Sequence, residues 1–160
     1  MLLRPMTDDD TEAVLSLNDS SVDVTGPLDA DRLALLRSMS ARADVMEVDG
    51  WVAAFCLVLP PEADYDSPNF GWFRERFDRD FLYLDRVVVS RLHRRAGIGG
   101  AVYDAAESDA TARGRLACEV NAEPPNEPSL AFHAHRGFVE AGRLRHDSGK
   151  VTAMLVKELP

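Results

Sequence analysis

The sequence has few cysteines, and neither belongs to a spacing that would bind a metal. Cys56 and Cys118 are the only two among 160 residues, with no CxxC pair and no Cys/His cluster. Disulfide-stapled and zinc-stabilised small folds are therefore excluded. A chain of this length buries enough apolar surface to form a core without such staples. We expect both thiols to be ordinary buried side chains in a reducing compartment.

Long apolar runs and an excess of positive charge are missing too. No stretch approaches the roughly 18 apolar residues that a membrane helix needs, and the first residues lack the basic start and apolar run of a signal peptide. With 18 Lys and Arg against 27 Asp and Glu, the formal charge is −9, which disfavours nucleic-acid phosphates as partners. We expect a cytoplasmic protein with neither a nucleic-acid nor a membrane partner. The sequence is compatible with a monomer or a homodimer.

Hydrophobic periodicity and turn signals predict strands alternating with helices in one domain over residues 1–160. The predicted order is β-α-α-β-β-β-α-β-α-β-β, without internal repeats or a linker. Asn18 to Pro27 is predicted to be a loop, and Pro60 to Asp80 a long irregular connection rich in aromatic residues. Asp49-Gly50 between two apolar runs predicts a hairpin. Phe81 to Ser90 is nearly continuously apolar and predicts a central strand.

The most informative segment runs from Val87 to Gly100, where a strand passes through a glycine-rich turn into a helix. Gly97 and Gly99 would let backbone N–H groups approach phosphate oxygens, and the start of the helix adds partial positive charge. Arg94 and Arg95 add cationic donors. The turn is not a Walker loop, since no Gly-Lys-Ser/Thr follows, and it lacks the spacing of a Rossmann fingerprint. It predicts a site for a diphosphate.

Two spaced patterns resemble the GCN5-related N-acetyltransferases, the GNAT family, over about residues 81–140. The first is Arg-x-x-Gly-x-Gly after a strand, carried by Arg94, Gly97 and Gly99. The second is an Asn, a small residue and a hydrophobic-Tyr pair before Gly-Phe. The residues that carry it are Asn126, Ser129, Phe132-His133 and Gly137-Phe138.

The resemblance implies an α/β fold with a mixed, twisted central sheet of about seven strands and about four flanking helices. Its two central parallel strands, 81–90 and 116–121, would splay apart, and an extended amide-containing arm could pair with the backbone groups left free. The resemblance also implies acetyl-CoA as acyl donor. The residues expected to contact it are Val87, Val88, Val89, Arg94, Arg95, Ala96, Gly97, Ile98, Gly99, Gly100, Asn126 and Ser129.

One position departs from the family pattern. His133 stands where many members of the family have the Tyr that protonates the leaving thiolate. An imidazole can donate a proton as a phenol can, because its pKa near 6.5 responds to its surroundings. His133 is therefore either this acid or an ordinary structural histidine. His93 and His135 are expected at the surface or on the phosphate side.

Two acidic residues lie inside strands that should be central, where an unpaired charge is costly. Glu119 resembles the Glu of the Glu-Val pair that acts as base in ribosomal-protein alanine acetyltransferases, although two extra residues separate it from Asn126. Asp85 is either a second candidate base or the partner of Arg86 or another buried cation. Tyr83 shares a strand face with Asp85 and is expected to line the acceptor pocket.

Together these features predict acetyl transfer from acetyl-CoA to a primary amine of a small molecule or peptide, by direct attack in a ternary complex and without a metal. Glu119 would take the amine proton, backbone N–H groups of residues 87–89 would polarise the thioester carbonyl, and His133 would protonate the thiolate. The alternative is a domain that binds acetyl-CoA with weak turnover or none, since His133 replaces the Tyr. An unrelated α/β domain would have to match both spaced patterns by accident.

Overall fold

The seven strands form one mixed sheet, which confirms the predicted α/β architecture. A computed structural model describes all 160 residues, and its sheet order is β1-β2-β3-β4-β5-β7-β6. Strands β4 and β5 are parallel, whereas every other neighbouring pair is antiparallel. The strands are β1 (Leu2–Pro5), β2 (Arg42–Val48), β3 (Trp51–Leu59), β4 (Leu82–Val89), β5 (Arg115–Glu123), β6 (Val139–Arg145) and β7 (Val151–Glu158).

The fold has six α-helices, two more than expected, and five of them cover the two faces of the sheet. Helices α1, α3 and α4 pack on one face, and α5 and α6 on the other. The two buried clusters that result contain 19 and 18 residues, so the central strands are covered on both sides. The helices are α1 (Thr11–Asp19), α2 (Val22–Thr25), α3 (Ala30–Met39), α4 (Pro68–Phe77), α5 (Ile98–Ala110) and α6 (Glu127–His135).

The two additional helices lie in segments predicted as loops, and those predictions were wrong. Helix α2 is a single turn within residues 18–27, and α4 occupies half of residues 60–80. Ser67 caps α4 by accepting a hydrogen bond from the backbone N–H of Phe70 at 3.3 Å. Phe70, Phe73 and Phe77 have the i, i+3, i+7 spacing of a helix face. The adjacent Trp72, which is also buried, obscured that period in the sequence.

Strand β4 contains a bulge at Asp85. Leu57 of β3 pairs with Arg86 and Val58 pairs with Leu84, so Asp85 has no partner on β3. The extra residue shifts the alternation of side chains by one position and turns Asp85 and Arg86 to the same face of the sheet. Both side chains are buried there, Asp85 against Tyr65 and Arg86 against Asn18.

Strands β4 and β5 separate after a short contact, as the resemblance implied. Only Leu82 with Leu116 and Tyr83 with Ala117 pair between them. Beyond these pairs β5 is bonded to β7 alone, so the facing edges of β4 and β5 carry backbone groups without a strand partner. The gap lies in the middle of the sheet, where a ligand can enter between two fixed strands.

Candidate active site

The gap between β4 and β5 opens into a cleft made of two connected cavities. The inner cavity has a volume of about 300 Å³ and reaches Glu119 and Asp85. The outer cavity has a volume of about 320 Å³ and follows residues 87–89 to the start of α5. The residues common to both are Val24, Thr25, Val87, Tyr103, Ser129 and His133.

Glu119 lies on β5 in the wall of the inner cavity, hydrogen-bonded to the neighbouring strand. The Tyr83 hydroxyl donates to its Oε2 at 2.6 Å. Burial, and then the charge of Asp85, raise the pKa of Glu119 to about 8, although the bond from Tyr83 acts in the opposite direction. A carboxylate with such a pKa is a far stronger base than an exposed glutamate and titrates near working pH. The structure thus brings Glu119 and Tyr83 together.

Asp85 is held in a buried ion pair with the residue that follows it. Its Oδ2 accepts from Nε of Arg86 at 2.8 Å, and its Oδ1 accepts from the Tyr65 hydroxyl at 2.6 Å. The Asp85 and Arg86 side chains are only 5% and 9% exposed, and Arg86 also donates through Nη1 to Asn18 Oδ1 at 3.1 Å. Both carboxylate oxygens are therefore engaged. This arrangement corresponds to the structural role left open for Asp85.

His133 is buried at the junction of the two cavities. Its Nδ1 lies 2.6 Å from the backbone oxygen of Ser129, and its Nε2 lies 2.7 Å from the hydroxyl of Tyr103 on α5. Burial lowers the pKa of His133, and the nearby charge of Arg136 acts in the same direction. The imidazole is therefore neutral at neutral pH and makes a hydrogen bond through each ring nitrogen.

The glycine-rich turn leaves the start of α5 open. Gly97, with φ of 80°, caps the helix, and no side chain bonds to the N–H groups of the first turn. Arg94 and Gly99 line the outer cavity, while Arg95, Ala96 and Gly97 are exposed. The Ile98 side chain is 1% exposed and belongs to the core, so only its backbone can face a ligand. The free N–H groups and the arginines suit an anion such as a diphosphate.

The remaining predicted contacts lie along the two edges of the cleft, except Gly100, which lines neither cavity. Val87, Val88 and Val89 all line the outer cavity, with the Val88 side chain turned into the core. Asn126 caps α6 by accepting from the backbone N–H of Ser129 at 3.4 Å. Its side-chain nitrogen makes no hydrogen bond within the protein, and Asn126 lines the inner cavity. The edges therefore offer the extended, polar surface that an amide-containing arm requires.

The structure shows neither a metal-binding cluster nor a membrane-spanning helix. No group of three or more His, Cys, Asp or Glu residues is placed to hold a metal ion. None of the helices combines the length and the apolar character needed to cross a membrane.

The sequence of residues 16–138, more than half of the chain, matches the profile of the acetyltransferase (GNAT) family. The chain belongs to this family. No curated protein has a sequence that matches it closely enough to count as a relative.

Solved GNAT structures share the fold along almost the whole chain. Ard1 from Thermoplasma volcanium superimposes with a TM-score of 0.79 at 18% identity, covering 99% of this chain and 97% of that one. The ribosomal-protein-alanine N-acetyltransferase from Brucella melitensis gives 0.74 at 23% identity, covering 99% and 100%. The ribosomal-protein-S18-alanine N-acetyltransferase from Escherichia coli gives 0.73 at 17% identity, covering 99% and 93%. At these identities the likeness establishes the GNAT fold.

Sequence reasoning missed two residues that line the GNAT cleft, Tyr65 and Tyr103, and a third, Asn18, that bonds to its wall. Tyr103 bonds to His133, Tyr65 bonds to Asp85, and Asn18 accepts from Arg86. Tyr103 follows Val102 on the apolar face of α5 and therefore looks like an ordinary core aromatic. The sequence held one signal for Tyr103, which is its position one turn after Gly99. A side chain one turn into that helix lies close to the glycine-rich turn.

Proposed function

We propose that this chain transfers an acetyl group from acetyl-CoA to a primary amine of a small molecule or peptide, by direct attack in a ternary complex. One observation carries the proposal. The divergence of β4 and β5 opens a continuous cleft that has a helix start with free N–H groups at one end and a buried carboxyl group of raised pKa at the other. Membership of the GNAT family supports the same reaction.

The outer cavity is the proposed binding site for acetyl-CoA. The N–H groups at the start of α5 and the guanidinium groups of Arg94 and Arg95 would bind the diphosphate. The free edge of β4 at residues 87–89 would pair with the amide-containing arm, and the unbonded side-chain nitrogen of Asn126 would donate to it. These contacts would hold the thioester at the junction of the two cavities, and N–H groups of β4 would polarise its carbonyl.

The inner cavity is the proposed binding site for the amine. Glu119 would remove a proton from the amine as it attacks the carbonyl carbon, directly or through one water. The C–N bond forms, the C–S bond breaks, and the thiolate is protonated where it leaves, at the junction of the two cavities beside His133. Holding both substrates in one cleft makes the attack effectively unimolecular.

Other properties follow from the same proposal. The inner cavity contains Glu119 and Asp85 as acids but also Arg86 and Lys150, so both cationic and zwitterionic amines are reasonable acceptors. The charge of −9 supports an amine rather than a nucleic acid as partner. Cys56 and Cys118 are buried and unpaired, which supports a reducing compartment, and we propose the cytoplasm.

A panel of amines with a free-thiol readout tests the proposal. An amino-acid amide, a polyamine and a peptide with a free N-terminus would each be incubated with acetyl-CoA and the protein. Amine-dependent release of CoA is expected for at least one of them. Saturable binding of acetyl-CoA without amine-dependent release of CoA would instead identify a non-catalytic binding domain.

The variant Glu119→Gln tests the assigned base. Loss of general-base catalysis should lower kcat by about 10²–10⁴-fold, while the Kd for acetyl-CoA changes little because Glu119 lies in the inner cavity. In the wild type, kcat/KM should rise with pH through about 8, the pKa of Glu119. Glu140→Gln, at an exposed ion pair on β6, is the matched control. A near-wild-type kcat in Glu119→Gln would remove this residue from the mechanism.

A further inference from the structure

The hydrogen bonds of His133 determine where its protons are. The backbone oxygen of Ser129 can only accept, so Nδ1 carries the proton in the 2.6 Å contact. Because burial lowers the pKa of His133, the ring is neutral and Nε2 carries a lone pair. Tyr103 therefore donates its hydroxyl proton to Nε2 across 2.7 Å. In this state the proton on Nδ1 is bonded to the Ser129 oxygen and Nε2 has no proton. His133 therefore has none to give to a substrate.

Tyr103 and His133 are the only ionisable side chains that line both cavities. Tyr103 is 7% exposed, and its ring is in edge contact with Phe132, His133 and Phe138. This packing fixes the ring, and the bond to Nε2 fixes the hydroxyl. The only acidic proton held at the junction is thus that of Tyr103.

We propose that Tyr103 is the proton donor to the departing thiolate, and that His133 is a positioning residue that holds the Tyr103 hydroxyl at the junction. This inference rests on the proposed acetyl transfer. It moves the acid from α6, where the family pattern places a Tyr, to a tyrosine on α5.

The proposed step is balanced in protons and electrons. As the C–S bond breaks, its electron pair goes to sulfur, and the Tyr103 O–H bond turns from Nε2 to sulfur and transfers its proton. Glu119 then returns the proton that it removed from the amine. This proton passes through water in the inner cavity, which both residues line, to the Tyr103 phenolate. Both residues return to their starting states, and the net result is the movement of one proton from the amine to the thiol.

The surroundings of Tyr103 keep its proton available over the working pH range. The titratable or charged groups that face it are His133, Arg136, Cys118, Glu119 and, further away, Cys56. Burial and the acidic groups raise the pKa of Tyr103 well above its ordinary value, while Arg136 acts in the opposite direction. The phenol therefore stays protonated at a pH where an imidazolium at His133 would already have lost its proton.

Steady-state kinetics of two variants test the donor, using acetyl-CoA and the amine of the panel that the wild type acetylates best. Tyr103→Phe removes only the hydroxyl and should lower kcat by about 10²-fold or more, with the Kd for acetyl-CoA little changed and the Tm lowered by no more than the loss of one buried hydrogen bond explains. His133→Gln keeps an acceptor for the Tyr103 hydroxyl and should stay within about tenfold of the wild type, the size of one altered hydrogen bond. The wild-type kcat should not fall between pH 7 and 9.

A 3,5-difluorotyrosine placed at position 103 keeps the shape of the side chain and lowers the pKa of its phenol. We expect the alkaline limit of the kcat profile to move to lower pH with this residue, an effect that a purely structural tyrosine would not produce. The substitution also tests the donor should Tyr103→Phe fail to fold.

The outcomes separate this inference from the proposed function. If the wild type acetylates no amine, the proposed function fails, and the donor assignment with it. If the wild type is active but Tyr103→Phe keeps its kcat, or if His133→Gln is the inactive variant and the wild-type kcat falls as pH rises above 6.5, then the donor is not Tyr103. Acetyl transfer itself would stand in that case.

Discussion

At the scale of single residues, Asp10 and Glu119 have pKa values shifted in opposite directions because their partners differ. Asp10 accepts from both terminal nitrogens of Arg4 at 2.8 and 2.9 Å, and this pairing lowers its pKa to about 2. Glu119 accepts only from the neutral Tyr83 and shares its surroundings with Asp85, so its pKa rises to about 8. Burial of the Glu119 carboxylate lowers the stability of the fold, and the same burial raises the pKa and makes Glu119 a strong base.

The raised pKa of Glu119 predicts a pH-dependent stability. The folded state binds a proton that the unfolded state releases above its ordinary pKa of 4.5, so this contribution is complete below that pH and is lost as pH rises through about 8. Urea unfolding should therefore show the wild type losing stability between pH 5 and 8.5 relative to Glu119→Gln. Parallel profiles for the two proteins would mean that the Glu119 pKa is not raised.

Some residues of the candidate site could be predicted from the sequence, and others could not. Glu119 stands out in the sequence because it is a charge inside an apolar strand, and His133 because it occupies a position in a spaced pattern. Tyr103 could not be found in this way, since an aromatic residue on an apolar helix face is the commonest kind of core residue. Its significance comes from a contact with α6, which only the tertiary structure shows.

At the scale of elements, the bulge in β4 places a charged pair in the centre of the sheet. Without the extra residue, Asp85 and Arg86 would point to opposite faces and neither could neutralise the other. The pair is then bonded to Tyr65 of the β3–α4 connection and to Asn18 of α1. The bulge thus links the strand that borders the cleft to two elements on one face of the sheet.

Removing one member of this pair should be costly. Arg86→Met leaves the buried Asp85 carboxylate without its cation and should destabilise the fold by about 3–5 kcal/mol. The double variant Asp85→Leu/Arg86→Met leaves no buried charge and should be more stable than Arg86→Met. Urea unfolding measures both, and a cost below about 1 kcal/mol for Arg86→Met would show that water solvates the carboxylate in its place.

The contact between β6 and α4 depends on a missing side chain. A Cβ at Gly142 would lie 2.5 Å from Cζ2 of Trp72, and the Trp72 ring is stacked under Arg76 at 3.6 Å. Gly142→Ala should therefore destabilise by about 1–3 kcal/mol through overpacking. In contrast, Gly71 in α4 has open space around it, and Gly71→Ala should stabilise by about 0.5–1 kcal/mol. Equal Tm values for the two variants would contradict this packing.

At the scale of the whole molecule, most of the sheet could be predicted from the sequence. Strands β3 and β4 are long apolar runs, and Asp49-Gly50 sets the hairpin between β2 and β3, so local signals were sufficient. The amphipathic period of α4 was hidden by adjacent aromatic residues. The pairing of β5 with β7 and the contact between Tyr103 and His133 join distant parts of the chain. No local signal in the sequence predicts them.

The central claim is that the cleft between β4 and β5 binds acetyl-CoA, and the melting temperature with and without acetyl-CoA tests it most directly. At about 100 times Kd, binding stabilises the fold by roughly 2.7 kcal/mol, which corresponds to about 5–10 °C for a domain of this size. The shift should shrink strongly in Arg94→Ala/Gly97→Asp, which removes a cation and places a carboxylate at the diphosphate site. It should persist in Arg143→Ala, where the arginine lost is an exposed one on β6. No shift at millimolar acetyl-CoA would contradict the account.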